Sequence, residues 1–261
     1  MAIQYGEIKE TQEQPKFPVR TLLRVPHQDL AEGLIVARNA FGRNTFRGNI
    51  AEMNKSYCYP NSREVINFRE PTTSESISAA AFDFKNLAKP EIFDPSWLQT
   101  GYIVRTFDGV YTTKITDEAE LRKLRDKAKK VDGIWILDNK KIEGVQDFGF
   151  APYESFETGV QDCDSFAEGG LARVLEHTFG KVADNLRTIA SPKSYSRGVD
   201  VWGFDSVNEP LLRVADLNSG RGVDDRRLNV YGDDWDDYNY GGYAFGVLKA
   251  STEGAKPAQK N

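Results

Sequence analysis

The sequence predicts an α+β fold, in which helices and strands occupy separate stretches of the chain. Three observations predict it: a β-hairpin at 101–115, two helices that follow it, and a series of short strands beyond residue 192. The order is hairpin, helix, strand, helix and then several strands. No glycine-rich phosphate loop precedes a helix, so a doubly wound nucleotide-binding sheet is not expected.

The first part of the chain gives weaker signals. Phe17–Val25 alternates apolar and polar residues, which predicts a strand. Gln28–Phe41 carries apolar residues at helical spacing and predicts a helix that ends at Gly42. Residues 43–94 are irregular and are expected to form loops with short strands, for example Glu64–Phe68.

The middle of the chain is more regular. Gly101–Ile115 alternates on both sides of Asp108-Gly109, a dipeptide typical of a hairpin turn. Thr116 is expected to cap a helix, because the following first turn is acidic and the last turn is basic. Gly133–Leu137 reads as a short buried strand.

A second helix is predicted from a cap at Asp164 or Ser165 to about Phe179. Its interior Gly169-Gly170 lowers helix stability, which indicates close packing there. Four strands are expected after it: Val199–Phe204, Leu211–Leu217, Arg226–Tyr231 and Tyr243–Leu248.

Length allows one large domain or two modest ones. We expect polar tails at 1–16 and 251–261, a main domain at 94–250, and a segment at 17–93 packed on it or part of it. The formal net charge of −5 argues against a nucleic-acid partner. No apolar run approaches the ~18 residues of a membrane span, so no membrane insertion is expected.

Composition and motifs exclude several chemistries. Cys58 and Cys163 could form one disulfide or remain two free buried thiols. His27 and His177 stand near predicted helix ends, where capping and stabilisation of a helix terminus are common roles. No nucleophile elbow, zinc motif or phosphate loop occurs, so neither a catalytic residue nor a cofactor is expected.

An acidic cluster from Asp224 to Asp237 raises two other hypotheses. Its spacing does not place ligands at positions 1, 3, 5 and 12 of a calcium loop, so no metal is expected. Paired carboxylates could also serve a hydrolase, which would need two of them to converge in a cleft. That alternative stays open.

The most informative stretch is residues 211–248. It contains no Lys, Glu, Gln or Met, although these types make up about one residue in six of the chain. It is rich in Asp, Asn, Tyr, Ser, Gly and Arg, a composition favoured in paratopes. Turn formation explains Gly, Asn and Asp, but not the missing types. A binding surface is therefore predicted here.

The genetic code accounts for the missing residue types. Free replacement of adenines in AAY codons yields Asn, Asp, Tyr, His, Ser, Gly, Arg and several apolar residues, but never Lys, Glu, Gln, Met or Trp. Residues 211–248 obey this rule except at Trp235. The stretch, with its ending GGYAFGVLKA, resembles the variable region of the target proteins of diversity-generating retroelements. The resemblance is greatest to archaeal and archaeal-virus members.

The resemblance implies a C-type-lectin-like fold of the formylglycine-generating-enzyme branch, whose terminal strand pairs with an early strand. It implies a non-enzymatic protein, since the cysteine pair of that enzyme branch is missing after Cys163. Leu228 and Val230 would face inward. The scaffold would include Trp235, Gly241, Gly242, Tyr243, Ala244, Phe245, Gly246 and Val247. The displayed residues would be drawn from Asn218, Ser219, Arg221, Asp224, Asp225, Arg226, Asn229, Tyr231, Asp233, Asp234, Asp236, Asp237, Tyr238, Asn239 and Tyr240.

The resemblance further implies a variable partner, a protein or another cell-surface molecule, whose identity a diversified surface does not reveal. A viral receptor-binding component is a second setting for such a protein, in which many copies would bind together. Neither the compartment nor the oligomeric state follows from the sequence.

Overall fold

The computed structural model describes residues 17–28, 30–60, 64–86, 97–138, 146–218, 226–238 and 241–249. The helices are α1 (Phe46–Met53), α2 (Thr73–Asn86), α3 (Glu118–Lys127), α4 (Cys163–Glu168), α5 (Gly170–Leu175) and α6 (Asp184–Ile189). The strands of the first half are β1 (Leu22–His27), β2 (Leu30–Ala37), β3 (Phe41–Asn44), β4 (Ser56–Cys58), β5 (Val65–Arg69), β6 (Trp97–Arg105) and β7 (Gly109–Tyr111). Those of the second half are β8 (Lys129–Val131), β9 (Ile134–Ile136), β10 (Gly149–Pro152), β11 (Gly159–Gln161), β12 (Val199–Trp202), β13 (Leu211–Asn218), β14 (Leu228–Asp234), β15 (Gly242–Ala244) and β16 (Val247–Leu248).

The predicted α+β class is the class of this structure. The larger sheet runs in the order β11-β12-β14-β13-β6-β7-β10-β9-β8, and neighbours in this order are antiparallel except β12 and β14, which run parallel. β13 lies between β6 and β14 and pairs with both along most of its length. The strand is therefore held on two sides by backbone hydrogen bonds.

The end of the chain returns to its beginning. β15 pairs with β3 and, in parallel, with β6. β16 lies between β2 and β5 in a second sheet of order β1-β2-β16-β5-β4. The expected pairing of the closing strand with an early strand is thus present in the structure.

The main hydrophobic core lies between the larger sheet and helices α2, α4, α5 and α6. Ala79, Ala80 and Ala81 of α2 are fully buried, and their small side chains let this helix approach β6 and α6 closely. Phe204 and Phe245 are buried in the same core. Burial of each phenylalanine contributes about 1.5–3 kcal/mol.

The helix predicted at Gln28–Phe41 is wrong. This stretch forms β2 and β3, and β1 and β2 make an antiparallel hairpin with Val25 opposite Leu34. Leu34 and Val36 are buried while Ile35 between them is half-buried, so burial follows the strand period of two. Gly33 has a φ of +75°, and a Cβ there would lie 2.6 Å from the carbonyl oxygen of Val25. A glycine thus permits the close strand pairing.

The loops expected at 43–94 are also partly wrong, because α1 and α2 lie there; the strand expected at Glu64–Phe68 is confirmed as β5. The first turn of α2 forms a capping box. The amide of Glu75 donates to Thr72 Oγ1 at 3.3 Å, and the amide of Thr72 donates to the Glu75 carboxylate at 2.9 Å. Caps and burial overcome the weak helix propensity of the Thr and Ser residues.

The hairpin around Asp108-Gly109 is confirmed by the antiparallel pairing of β6 with β7. The helix after it begins one residue later than expected, because Asp117 caps α3 by accepting from the Glu120 amide at 2.8 Å. The buried strand expected at Gly133–Leu137 is confirmed as β9. Three of the four strands expected after residue 192 are confirmed as β12, β13 and β14. The fourth, expected as one strand at Tyr243–Leu248, is two short strands, β15 and β16, which pair in different sheets.

The second predicted helix is two helices. It is capped by Asp162, not by Asp164 or Ser165, and it breaks at Gly169, whose ψ of 147° is extended. The expected close packing is confirmed, because a Cβ at Gly170 would collide with the Ser155 side chain. The sequence reasoning also missed α6. Cys58 and Cys163 are both free and buried.

Among the described residues, no helix is both long enough and apolar enough to cross a membrane.

Candidate functional site

The strand β14 carries the centre of the residue set that the sequence singled out. Its burial alternates: Leu228 and Val230 are buried in the core, whereas Asn229, Tyr231 and Asp233 are half-buried on the opposite face. Successive side chains of a strand point to opposite faces of a sheet. The same segment therefore builds the core with one set of residues and an outer sheet face with the other.

Neighbouring strands extend this outer face with aromatic residues. In the parallel pair β12–β14, Trp202 lies beside Tyr231, and the two rings stack with centroids 3.9 Å apart. Trp97 of β6 meets the same tyrosine edge-on at 6.0 Å. Asn218, the last residue of β13, lies beside both Trp97 and Asn229. The outer face thus carries three aromatic rings next to the paired amides Asn218 and Asn229.

Sequence reasoning did not name either tryptophan. Trp202 lies within the predicted strand Val199–Phe204 and is 45% exposed in the structure. The apolar residues Val199 and Val201 place Trp202 on the other face of that strand, which was the available signal. Trp97 precedes the predicted hairpin and gave no comparable signal. Both residues lie outside 211–248, the segment whose composition predicts the binding surface.

At one end of the outer face, Asp233 holds two buried arginines. Its Oδ1 accepts from Arg105 Nη1 at 2.6 Å and from Arg213 Nε at 2.8 Å. The guanidinium of Arg213 also lies 3.7 Å from the ring centroid of Trp235. Trp235, assigned to the scaffold by the resemblance, is 53% exposed and rests on this arginine. Such cation–π contacts contribute about 0.5–1 kcal/mol at exposed sites.

Asp236 is held by α1 and β6. Arg47 Nη2 donates to Asp236 Oδ1 at 3.0 Å, and the backbone amide of Arg47 donates to the backbone carbonyl of Asp236 at 2.7 Å. The Tyr102 hydroxyl donates to Asp236 Oδ2 at 3.1 Å. Burial and the nearby Asp236 carboxylate raise the pKa of Tyr102 above its usual range, so the phenol stays protonated. Asp237 lies 3.8 Å from Arg47 and is exposed.

A pair of carboxyl groups is buried beside the aromatic rings of the outer face. Asp216 lies opposite Tyr231 across the β13–β14 ladder, where the register shifts, and its carboxyl group adjoins that of Asp234. Asp216 is fully buried and Asp234 is 6% exposed. Burial, and then the neighbouring Asp234, raises the pKa of Asp216 well above its usual value. Two adjacent buried carboxyls cannot both ionise at low cost, which favours the protonated form of Asp216.

Sequence reasoning placed Asp234 in the displayed set and did not name Asp216. Neither oxygen of Asp216 has a hydrogen-bond partner outside the pair among the described residues. The pair forms at a bulge, a feature that a period of two along one strand does not reveal.

The closing strands β15 and β16 and the two residues between them pack into the interior of the protein. Phe245 is buried in the main core, and Gly246 packs its backbone against the ring of Phe41. Gly242 lies against the side chain of Gln99, and its carbonyl accepts from Asn49 Nδ2 at 3.1 Å. Three more of these scaffold residues are buried or half-buried: Ala244 and Val247 are buried, and Tyr243 is half-buried with its hydroxyl accepting from Arg43 Nε at 2.9 Å. Gly241 is exposed.

The remaining residues of the displayed set are placed as follows. Tyr238 is 75% exposed, and Arg226 is exposed. Ser219, Arg221, Asp224, Asp225, Asn239 and Tyr240 lie outside the described residues.

The two histidines lie away from this face. His27 ends β1, not a helix start, and its Nδ1 lies 2.9 Å from Ser78 Oγ. His177 follows α5 with a φ of +55° and is fully buried. Across the described ranges, no group of three or more His, Cys, Asp and Glu side chains could hold a metal ion.

Comparisons with known proteins complete the description. No protein-family model matches the sequence, and no curated protein matches it. Among solved structures, the chain is similar to one that is described with the words "Accommodation of massive sequence variation in Nanoarchaeota by the C-type lectin fold". The two chains are 14% identical, the match covers 81% of this chain and 97% of the other, and the TM-score is 0.47.

Proposed function

We propose that this chain is a non-enzymatic ligand-binding protein with a C-type-lectin-like fold, whose segment 211–248 is diversified by a retroelement and carries the binding surface. The observation behind the proposal is the alternation on β14. Asn229, Tyr231 and Asp233 lie on the outer face, and all three are residue types that adenine mutagenesis of AAY codons can write.

A diversified surface needs a backbone that does not depend on the side chains it displays. β14 pairs with β12 on one side and β13 on the other, so its backbone hydrogen bonds are satisfied whatever side chain stands at Asn229 or Tyr231. Substitutions at fully exposed positions such as Tyr238 usually change stability by less than about 0.5 kcal/mol. The buried residues Leu228 and Val230 keep the strand in register.

The binding surface combines variable and constant residues. Trp202 and Trp97 stand outside 211–248, and tryptophan is a type that adenine mutagenesis of AAY codons cannot write. Rigid aromatic rings give large contact areas at low entropic cost, and short polar residues add adaptable hydrogen bonds. A partner, a protein or another cell-surface molecule, would contact the constant tryptophans next to side chains that differ between copies.

The ion pairs of the aspartate cluster argue against a carboxylate-based hydrolase. Asp233 and Asp236 are each held by arginine, and Asp237 lies near one. Asp234 is buried against Asp216. Asp233, Asp234 and Asp236 are thus engaged within the protein, whereas a carboxylate enzyme needs two carboxyl groups that act on a substrate.

The decisive experiment is genomic. Sequencing around the coding region should reveal a second, near-identical copy of the DNA that encodes residues 211–248, near a reverse transcriptase gene. The two copies should differ only at adenines of the second copy. Differences spread over all four bases, or the lack of a second copy, would refute the retroelement part of the proposal.

The binding part is tested separately on the protein. A surface-display library with AAY-derived codons at Asn229, Tyr231 and Tyr238 should stay folded in most members and yield binders to unrelated protein targets. A matched library at Leu228, Val230 and Phe245 should yield mostly unfolded members. Equal folding of the two libraries would contradict the assignment of displayed and scaffold positions.

A further inference from the structure

A second concave site lies away from the outer face of β14. It is a cleft of about 400 Å³, a size suited to a small molecule. It lies between α1, the connection from β5 to α2, the segment after β7 and the residue after β16. Its lining includes Ile50, Pro71, Tyr102, Lys114, Ile115 and Lys249.

One part of this cleft is apolar. Ile50, Pro71 and Ile115 line it together with the side chain of Tyr102, whose ring packs edge-on against Phe46 at 5.0 Å. The Tyr102 hydroxyl is already bonded to Asp236, so its ring is the part of the side chain left for a ligand. An apolar group of a ligand would remove water from these side chains.

The acceptors in and behind the lining already have donors. The Glu75 carboxylate, behind Arg69, accepts from both terminal nitrogens of that guanidinium, at 2.7 and 2.5 Å, and from the Thr72 amide. The Asp147 carboxylate accepts from the hydroxyls of Thr72 and Ser74. Both carboxylates are buried and act as internal partners of the protein.

The lysines retain unused donors. The ammonium of Lys114 pairs with Glu70, and that of Lys249 donates to the neutral Asn54 Oδ1 at 3.1 Å. Within the described residues, Lys249 has no carboxylate within salt-bridge distance. An ammonium group carries three N–H donors, so Lys114 and Lys249 each keep donors for a ligand. The charge of Lys249 has no carboxylate partner among the described residues.

We propose that this cleft binds a small amphipathic organic anion, a carboxylate or a phosphate ester. The anionic head accepts hydrogen bonds from Lys249 and Lys114, and the apolar body packs on Ile50, Pro71 and Ile115. Charge-assisted hydrogen bonds are stronger than hydrogen bonds between neutral groups, so we expect the loss of one lysine to lower the affinity for the anion at least about tenfold. This site does not rest on the function proposed above, since none of its lining residues lies on the outer face of β14.

The experiment compares ligands of the same shape and different charge. Binding of benzoate, phenyl phosphate and neutral benzamide to the full chain is measured by ligand-observed NMR and by the shift in melting temperature. We expect benzoate or phenyl phosphate to bind and benzamide not to bind. The ratio of the two anions distinguishes a carboxylate site from a phosphate site.

Variants then locate the binding. Lys249→Met and Lys114→Met should each weaken anion binding about tenfold or more, whereas the matched control Lys123→Met, exposed on α3 and outside the cleft, should not change it. Circular dichroism verifies that each variant is folded. The proposal is overturned if no anion binds at millimolar concentration, if benzamide binds equally well, or if Lys123→Met weakens binding as much as the cleft variants do.

Discussion

The indole of Trp202 stacks on the phenol of Tyr231, with ring centroids 3.9 Å apart and planes inclined by 30°. One ring comes from β12 and the other from β14, which lies in the compositionally depleted segment 211–248. Gly203 makes it possible, because its φ of +77° turns the chain directly after Trp202. The stack and the turn at Gly203 therefore fix the position of the Tyr231 ring on the outer face.

The first prediction concerns the energy of the stack. Trp202→Ala and Tyr231→Ala, made singly and together, should show a coupling of about 0.5–1.5 kcal/mol in the free energy of unfolding, the usual value of an aromatic pair. Urea denaturation measures it. The pair Trp202→Ala and Tyr238→Ala serves as control, because Tyr238 is exposed and should show no coupling. No coupling in the first pair would contradict the stacked geometry.

The second prediction separates backbone strain from a steric clash at Gly203. A Cβ there would lie 2.7 Å from Tyr231 Cε2, in addition to the strained positive φ. Gly133 has a similar φ of +85°, but a Cβ there meets nothing within 4 Å. Gly133→Ala should cost about 1 kcal/mol, and Gly203→Ala clearly more. Equal losses in thermal unfolding would show that Tyr231 does not pack against this turn.

The third prediction distinguishes scaffold from display. Phe245→Ala should lower the free energy of unfolding by about 3–5 kcal/mol, because it leaves a cavity in the main core. Tyr238→Ala should change it by less than about 0.5 kcal/mol. Trp235→Ala should fall between them at about 1 kcal/mol, since this tryptophan is half exposed and packs on Arg213. Chemical denaturation of the three variants gives the order, and a Trp235 effect as large as that of Phe245 would contradict the exposed position.

Local signals explain what the sequence predicted correctly. The hairpin at Asp108-Gly109 and the charge pattern of α3 depend on neighbours within a few residues, and both are present in the structure. The error at Gln28–Phe41 has a non-local cause. The same apolar positions suit a helix or a strand, and pairing of Val36 with Val247 from the other end of the chain favours the strand.

The same reasoning applies to the outer face. Alternation along β14 is legible in the sequence, because it depends on one strand. The partners of Tyr231 are not, because Trp202 and Trp97 become its neighbours through strand pairing. The Asp216–Asp234 contact depends on a register shift between β13 and β14, and no residue type in either strand predicts that shift.

The fourth prediction concerns this buried carboxyl pair. Because burial and Asp234 raise the pKa of Asp216 in the folded protein, the folded state keeps a proton that the unfolded state releases above about pH 3.9. The folded state thus binds more protons, so stability falls as pH rises through this window, by up to about 1.4 kcal/mol per pH unit.

Asp216→Asn removes this titration while keeping a side chain of nearly the same shape. In urea unfolding between pH 4 and pH 8, the stability of the variant relative to the wild type should therefore increase with pH. Glu176 provides a comparison, because burial raises its pKa to about 7 although the amides of Leu186 and Asn185 oppose the shift. Glu176→Gln should show a gain that ends near that pH, and it also removes acceptors for those amides. A difference between Asp216→Asn and wild type that does not change with pH would mean that Asp216 is ionised in the folded protein, and the buried pair would then need another source of positive charge.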